Sequence, residues 1–177
     1  MRGKAAHANA DADSSAFAAF YDCAVRELYR YFHRATAGDR RVAEDLTQDT
    51  FVAAIRAFKS GQSDAITMPW LMGVARHKLI DHYRRRAREE RKLSLVWSET
   101  SRTDGVDAIF DIDEAEALSL LGTLSATHRL VLVLRYLDDL AVNDVAREIG
   151  KSVRATESIL VRARQSLERT MQENRNG

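Results

Sequence analysis

Apolar side chains recur along this chain at three- and four-residue intervals, the period of one face of an α-helix. From near Ser14 to Thr36 the stripe is Phe17, Phe20, Tyr21, Val25, Leu28 and Phe32. Gly38-Asp39 interrupts it, and Asp39 is placed to cap a second helix carrying Val42, Leu46, Thr50, Ala54, Ile55 and Phe58 on its apolar side. Lys59-Ser60-Gly61-Gln62-Ser63 ends that helix, and a loop continues to Thr67. Pro69 marks the first turn of a third helix, where its missing N–H costs nothing, and Trp70, Leu71, Val74, Ala75 and Leu79 supply the buried stripe. Between 93 and 112 the period is lost among Ser94, Ser98, Thr100, Ser101, Thr103 and Gly105, with Ala108-Ile109-Phe110 as an isolated apolar point. Helical spacing resumes from about Asp113, over 115–121, 126–137, 142–149 and 153 to about 171, with Ser125 and Ser152 at N-cap positions.

These patterns predict an all-α protein of two small helical domains joined by a flexible linker. Residues 1–13 form a disordered tail, 14–92 a helical bundle, 93–112 the linker and 113–172 a second helical domain. Composition agrees: among 177 residues, 26 are Ala, eight are Gly and one is Pro, so helix formers abound and breakers are scarce. An all-β chain, a collagen-like chain and a disulfide scaffold are disfavoured. Cys23 is the single cysteine, which suits a reducing compartment. The longest strongly apolar runs, Ala16 to Tyr21 and Leu130 to Leu134, are far short of the ~18 residues a membrane span needs. Met1-Arg2-Gly3-Lys4 is basic, but no apolar core of a signal peptide follows it. A cytoplasmic protein without membrane insertion is expected.

Charge changes the picture. The net charge is +1, which by itself speaks against nucleic acid. By segment, however, Trp70 to Lys92 holds eight bases and three acids, a net of +5. Leu93 to Leu120 holds one base and seven acids, a net of −6, and Arg147 to Arg169 six bases and three acids, a net of +3. Two basic modules joined by an acidic connector have the distribution of a nucleic-acid-binding protein.

Val142 to Val153 has the grammar of a helix-turn-helix. Val145 and Ile149 face the core, Ala146 is small at the crossing, Gly150 permits the turn and Ser152 caps the second helix. In a major groove, Arg154, Glu157 and Ser158 on the first two turns would meet base edges. Lys151, Arg162 and Arg164 would hold phosphates. An ordinary helical hairpin gives a similar pattern. His77 to Arg86 is a basic helix with interleaved aromatics, suited to unpaired strands, and equally to a solvated basic helix end. Glu44, Asp45, Gln48 and Asp49 form an acidic patch, either a solvated face or a docking surface for a basic partner. His77 and Asp81 are four apart, yet two ligands among so many bases make a poor metal site. No Ser-His-Asp set, phosphate-binding loop or paired carboxylates can be assembled, so no catalysis and no cofactor are expected.

Three stretches resemble the extracytoplasmic-function (ECF, group IV) sigma factors of bacterial RNA polymerase. They are Ala43 to Phe51 (AEDLTQDTF), Trp70 to Arg85 (WLMGVARHKLIDHYRR) and Leu130 to Tyr136 (LVLVLRY) through Arg162-Ala163-Arg164, in the family's order and spacing. The resemblance implies a non-catalytic initiation factor of two modules. Asp45, Gln48 and Asp49 would dock on the clamp helices of the polymerase β′ subunit. Lys59, Arg76, His77, Lys78 and Arg84 would engage the melted −10 element. The helix-turn-helix, through Lys151, Ser152, Arg154, Glu157, Ser158, Arg162 and Arg164, would read the −35 element while its module rests on the β flap. The acidic linker would run toward the RNA exit channel in the manner of nascent RNA, and an anti-sigma factor would hold the protein in check.

Departures from the family pattern are local. His77 stands where the family usually has Asn, and Ser125 replaces a common Pro. Arg154, Glu157 and Ile159 replace Gly, Lys and Arg, so position 157 reverses sign and Ile159 is expected at a thymine methyl rather than a phosphate. The alternative to a sigma factor is a stand-alone helix-turn-helix regulator, which needs neither the acidic patch nor the basic-aromatic helix. A helical adaptor without a DNA role leaves the clustering of Arg unexplained.

Overall fold

The computed structural model describes residues 21–61, 66–93 and 114–176. The expected tail over 1–13, the start of the first helix with Phe17 and Phe20, and the expected linker from 94 onward lie outside the described residues. Within them every element is helical: α1 (21–35), α2 (Arg40–Lys59), α3 (Met68–Leu93), α4 (Glu114–Thr123), α5 (Ala126–Leu132), a π turn (Val133–Leu137), α6 (Val142–Ile149) and α7 (Val153–Asn176).

Local chemistry sets the boundaries. α1 closes through Ala37 and Gly38, both at positive φ, with the Gly38 N–H donating to His33 O at 2.8 Å. The Val42 N–H then donates to Asp39 Oδ1 at 3.1 Å, so Asp39 caps α2 as its position predicts. Pro69 sits in the first turn of α3. The N-terminal core is Leu28, Phe32, Leu71, Ala75, Leu79 and Tyr83, all buried. Each large apolar side chain so buried stabilises the bundle by about 1.5–3 kcal/mol. Thr47 and Thr50 are buried on α2, and their hydroxyls donate to Ala43 O and Leu46 O one turn back, which removes the penalty of an unpaired polar group. The Tyr83 hydroxyl donates to Ala35 O and pins α3 to the end of α1. Ile55, expected on the apolar side of α2, is instead exposed beside Val52.

The second group of helices is built on α5 and α7, with Leu130, Val131, Leu134, Val145, Ala163 and Leu167 buried among them. Ser125 Oγ accepts the His128 N–H at 3.4 Å, the expected cap of α5. The expected single helix over 126–137 divides: α5 gives way at Val133 to a π turn, closed by the Asp138 N–H on Val133 O at 3.0 Å. The wider turn carries the chain one residue further per turn and sets Asp138 inward while Asp139 takes φ 50°. Its run of aliphatic residues has the same periodicity either way, so the pattern does not distinguish them. α5 packs against α7 on one side and against α3 on the other, and one buried core runs through both groups.

Candidate nucleic-acid interface

The helix-turn-helix forms where the sequence places it. Gly150 adopts the left-handed conformation (φ 69°, ψ 40°) that ends α6. The Lys151 N–H donates back to Ala146 O at 3.0 Å, closing the turn. A Cβ at Gly150 would meet no neighbouring atom, so glycine is needed for backbone conformation rather than space. Val145 and Ala146 are buried at the crossing. Ser152 caps α7: its Oγ accepts the Ala155 N–H at 3.2 Å, and its carbonyl accepts the hydroxyl of buried Thr156 at 3.0 Å.

Around this frame Lys151, Ser152, Arg154, Glu157, Ser158 and Arg162 are all exposed on one side of α7. Arg162 Nε donates to Ser158 O at 3.1 Å, which holds its guanidinium along the helix. Arg164 differs from these: it is half-buried, and its Nε is enclosed with no acceptor among the described residues. Ile159 is buried in the core, because three residues after Thr156 it falls on the inner face of α7; the expectation of a thymine contact is corrected.

On α3 the basic residues are in a different situation. Arg76 Nε donates to Asp138 Oδ2 at 3.0 Å, and the Tyr31 hydroxyl donates to the same oxygen at 3.2 Å. The Asp138 side chain is 3% exposed and that of Arg76 28%. Burial raises the Asp138 carboxyl above the usual carboxylate range, against the pull of Arg76 and the Tyr31 hydrogen bond; burial also pushes the Tyr31 hydroxyl upward, and Asp138 adds to it. Arg84 Nη2 donates to Glu148 O on α6 at 2.7 Å, and His77 Nδ1 stands 4.0 Å from Glu148 Oε2. Lys78 lies 3.9 Å from Asp49 on α2. Glu90, near the end of α3, accepts the Ala126 N–H at the start of α5 with both oxygens, at 3.0 and 3.2 Å. Arg85, Arg86 and Arg88 remain exposed. Burial, and then the charges of Arg86 and Arg85, hold His82 below the ordinary histidine value of 6.5.

The acidic patch is open. Glu44, Asp45, Gln48 and Asp49 are exposed on α2, and the same face continues through exposed Val52 and Ile55 toward Tyr21, whose ring packs on Phe51 at 4.3 Å. Lys59 is exposed at the end of α2, immediately before residues 62–65, which lie outside the described residues. Periodicity missed Val52 as a surface residue and gave no reason to single out Asp138 or Glu148, whose partners come from a distant helix. Among the described residues no cluster of His, Cys, Asp or Glu is arranged to hold a metal ion, and no helix is long and apolar enough to cross a membrane.

Comparison with known proteins agrees with this arrangement. Residues 16–89 match Sigma-70 region 2 and residues 114–167 match Sigma-70 region 4. The ECF sigma factor SigL of Mycobacterium tuberculosis is 31% identical over 169 residues, covering 93% of each chain. The sigma factor YlaC of Bacillus subtilis is 29% identical over 160 residues, covering 85% of this chain and 88% of its own. The ECF sigma factor BldN of Streptomyces coelicolor is 28% identical over 90% of this chain, which spans 61% of BldN. The fold is shared with the sigma factor RpoE of Bartonella quintana, solved with the anti-sigma factor NepR, at a TM-score of 0.53 and 23% identity over 88% of this chain and 96% of that one. With a region 2 bundle, a region 4 helix-turn-helix and relatives aligned across both, the chain belongs to the sigma-70 family as an ECF RNA polymerase sigma factor, a factor for promoter-specific transcription initiation.

Proposed function

We propose that each exposed surface serves one step of initiation, in the cytoplasm and without catalysis by this chain. The α2 face docks on the β′ clamp helices through Asp45, Gln48 and Asp49. Its carboxylates supply charge complementarity, and the neighbouring Val52 and Ile55 supply apolar area. Lys59, Arg76, His77, Lys78 and Arg84 receive the non-template strand of the −10 element, with cations along the backbone and aromatics for bases. The −35 element is read by Arg154, Glu157 and Ser158, with Lys151, Ser152 and Arg162 on phosphates. Half-buried Arg164 reaches the backbone only by its guanidinium tip. The C-terminal module rests on the β flap, and an apolar recess of about 370 Å³ walled by Leu118, Leu121, Val133, Tyr136 and Leu167 offers the surface for it. An anti-sigma factor is the expected inhibitor. The observation that carries this reading is the sorting of α7. Every candidate reader on its first two turns is exposed, while Thr156, Ile159 and Leu160 between them are buried.

Reconstituted transcription with core polymerase on genomic DNA tests the proposal. Promoter-specific start sites are expected only when this chain is added, and Asp45→Lys with Asp49→Lys should abolish core binding while helix content stays unchanged. A chain that footprints duplex DNA tightly alone and yields no start sites with polymerase would be a stand-alone regulator instead. Unchanged core affinity in the charge reversal would remove the docking assignment.

A further inference from the structure

Among the contacts that join the N-terminal helices to the helix-turn-helix module, three use a charged group of α3. Arg76 meets Asp138, which also takes the Tyr31 hydroxyl; Arg84 meets Glu148 O; Glu90 takes the Ala126 N–H. Outside them, Arg34 on α1 pairs with Glu114 on α4 at 2.8 Å. Two of these donors, Arg76 and Arg84, belong to the surface assigned to the −10 strand, and His77 lies beside Glu148 as well. A guanidinium N–H committed to Asp138 or to Glu148 O is not available to a phosphate. Strand and C-terminal module therefore compete for these two N–H groups and for the space in front of them.

We propose that the free chain shields its own −10 surface. The C-terminal module lies on α3 with Asp138 as the latch, and engagement of polymerase or promoter requires that latch to open. The inference rests on the assignment of α3 to single-stranded DNA. Asp138 suits the role because it ties α1, α3 and the C-terminal module at a single oxygen, and because its carboxylate is removed from water. The π turn makes this possible, since it carries Asp138 inward.

The closed form is also poised to open. Arg129 on α5 is 5% exposed at the contact with α3. Its Nη2 donates to Gly122 O and Leu124 O at 2.7 and 3.1 Å, and its Nε has no acceptor among the described residues. Arg129 also hydrogen-bonds the Tyr83 side chain of α3, but no carboxylate is among these partners, so a buried guanidinium held by neutral oxygens recovers only part of its desolvation cost.

Pulsed electron–electron distance measurement on the full chain tests this, with spin labels on Cys23, exposed on α1, and on Q172C, exposed on α7. The unlatched chain should show a broader and longer distribution with Asp138→Ala and with Glu90→Ala, against one narrow distance in the parent. Asp138→Asn keeps the shape, and far-UV circular dichroism verifies that helix content is retained in all three. Without core polymerase, a fluorescent single-stranded oligonucleotide should bind Asp138→Ala about tenfold more tightly, because the competent fraction rises by that factor. A broad distribution in the parent, or one that none of the variants alters, overturns the latch. Arg84→Ala separates the two ideas. If it weakens oligonucleotide binding in both backgrounds while Asp138→Ala gains nothing, shielding fails; if neither substitution affects binding, the assignment of α3 fails.

Discussion

α3 and α7 are the two long basic helices, 26 and 24 residues, and in sequence they look alike. In the fold they differ. The working side of α7 looks outward: Lys151, Arg154, Glu157 and Ser158 are exposed, and the Ser158 hydroxyl donates to Arg154 O one turn back. The working side of α3 is engaged by the other module, with half-buried Arg76 on Asp138 and exposed Arg84 on Glu148 O. Charge count sets the strength of a helix's attraction for phosphate, but the acceptors around it decide whether that attraction is free to act. A helix that meets duplex DNA needs only a presented face. A helix that meets a melted strand can be covered until the strand exists.

Substitutions at matched positions sharpen or erase this contrast. The largest effect is expected at Arg76→Ala, which leaves the buried Asp138 carboxylate without its counter-ion, held by the Tyr31 hydroxyl, and should cost about 3 kcal/mol of stability by urea denaturation. An unchanged midpoint would mean that α3 is as free as α7. Arg154→Ala should leave stability within about 0.5 kcal/mol and cost about 1–3 kcal/mol at one −35 base pair. Binding assays with every single-base variant of the site resolve it; uniform weakening would make Arg154 a phosphate contact. Ser152→Ala removes a cap and should lower stability by about 1 kcal/mol, the structural share of the α7 N-terminus.

The smallest effect is on pH. Burial, then nearby arginines, hold His82 on α3 and His128 on α5 below the ordinary 6.5. A depressed histidine binds fewer protons folded than unfolded, so its stability contribution is complete above 6.5 and falls as the pH drops below it. Asp138 has the opposite sign. Its raised carboxyl favours the folded form at low pH, a preference lost as pH rises from 3.8 through its raised value. Midpoints should therefore fall from pH 7.5 to 5.5, and His128→Asn should flatten that slope. A slope unchanged by His82→Asn and His128→Asn together would assign it elsewhere.

Much of the fold was legible because its signals are local. Asp39, Ser125 and Ser152 cap helices within three residues of themselves, and Gly150 supplies a conformation that no distant group needs to enforce. The apolar stripes of α2, α3 and α7 needed only the period of the helix. The acidic patch and the helix-turn-helix were legible for the same reason, as was the likeness to sigma factors, which lies in contiguous motifs. Ile55 and Ile159 were misassigned because an apolar residue near the edge of a stripe turns in or out according to its neighbour, which spacing does not name.

The amino-acid sequence alone thus determined the helices, their caps, the turn of the DNA-binding motif and the segregation of charge, since each depends on residues within a turn or two of one another. Tertiary structure decided which of those charges are free. The π turn that swings Asp138 inward, its union with Arg76 62 residues away and with Tyr31 107 residues away, and the Arg84 bond to Glu148 O have no local signature. They exist because α5 packs on α3, and that packing is a property of two faces meeting rather than of either stretch of chain.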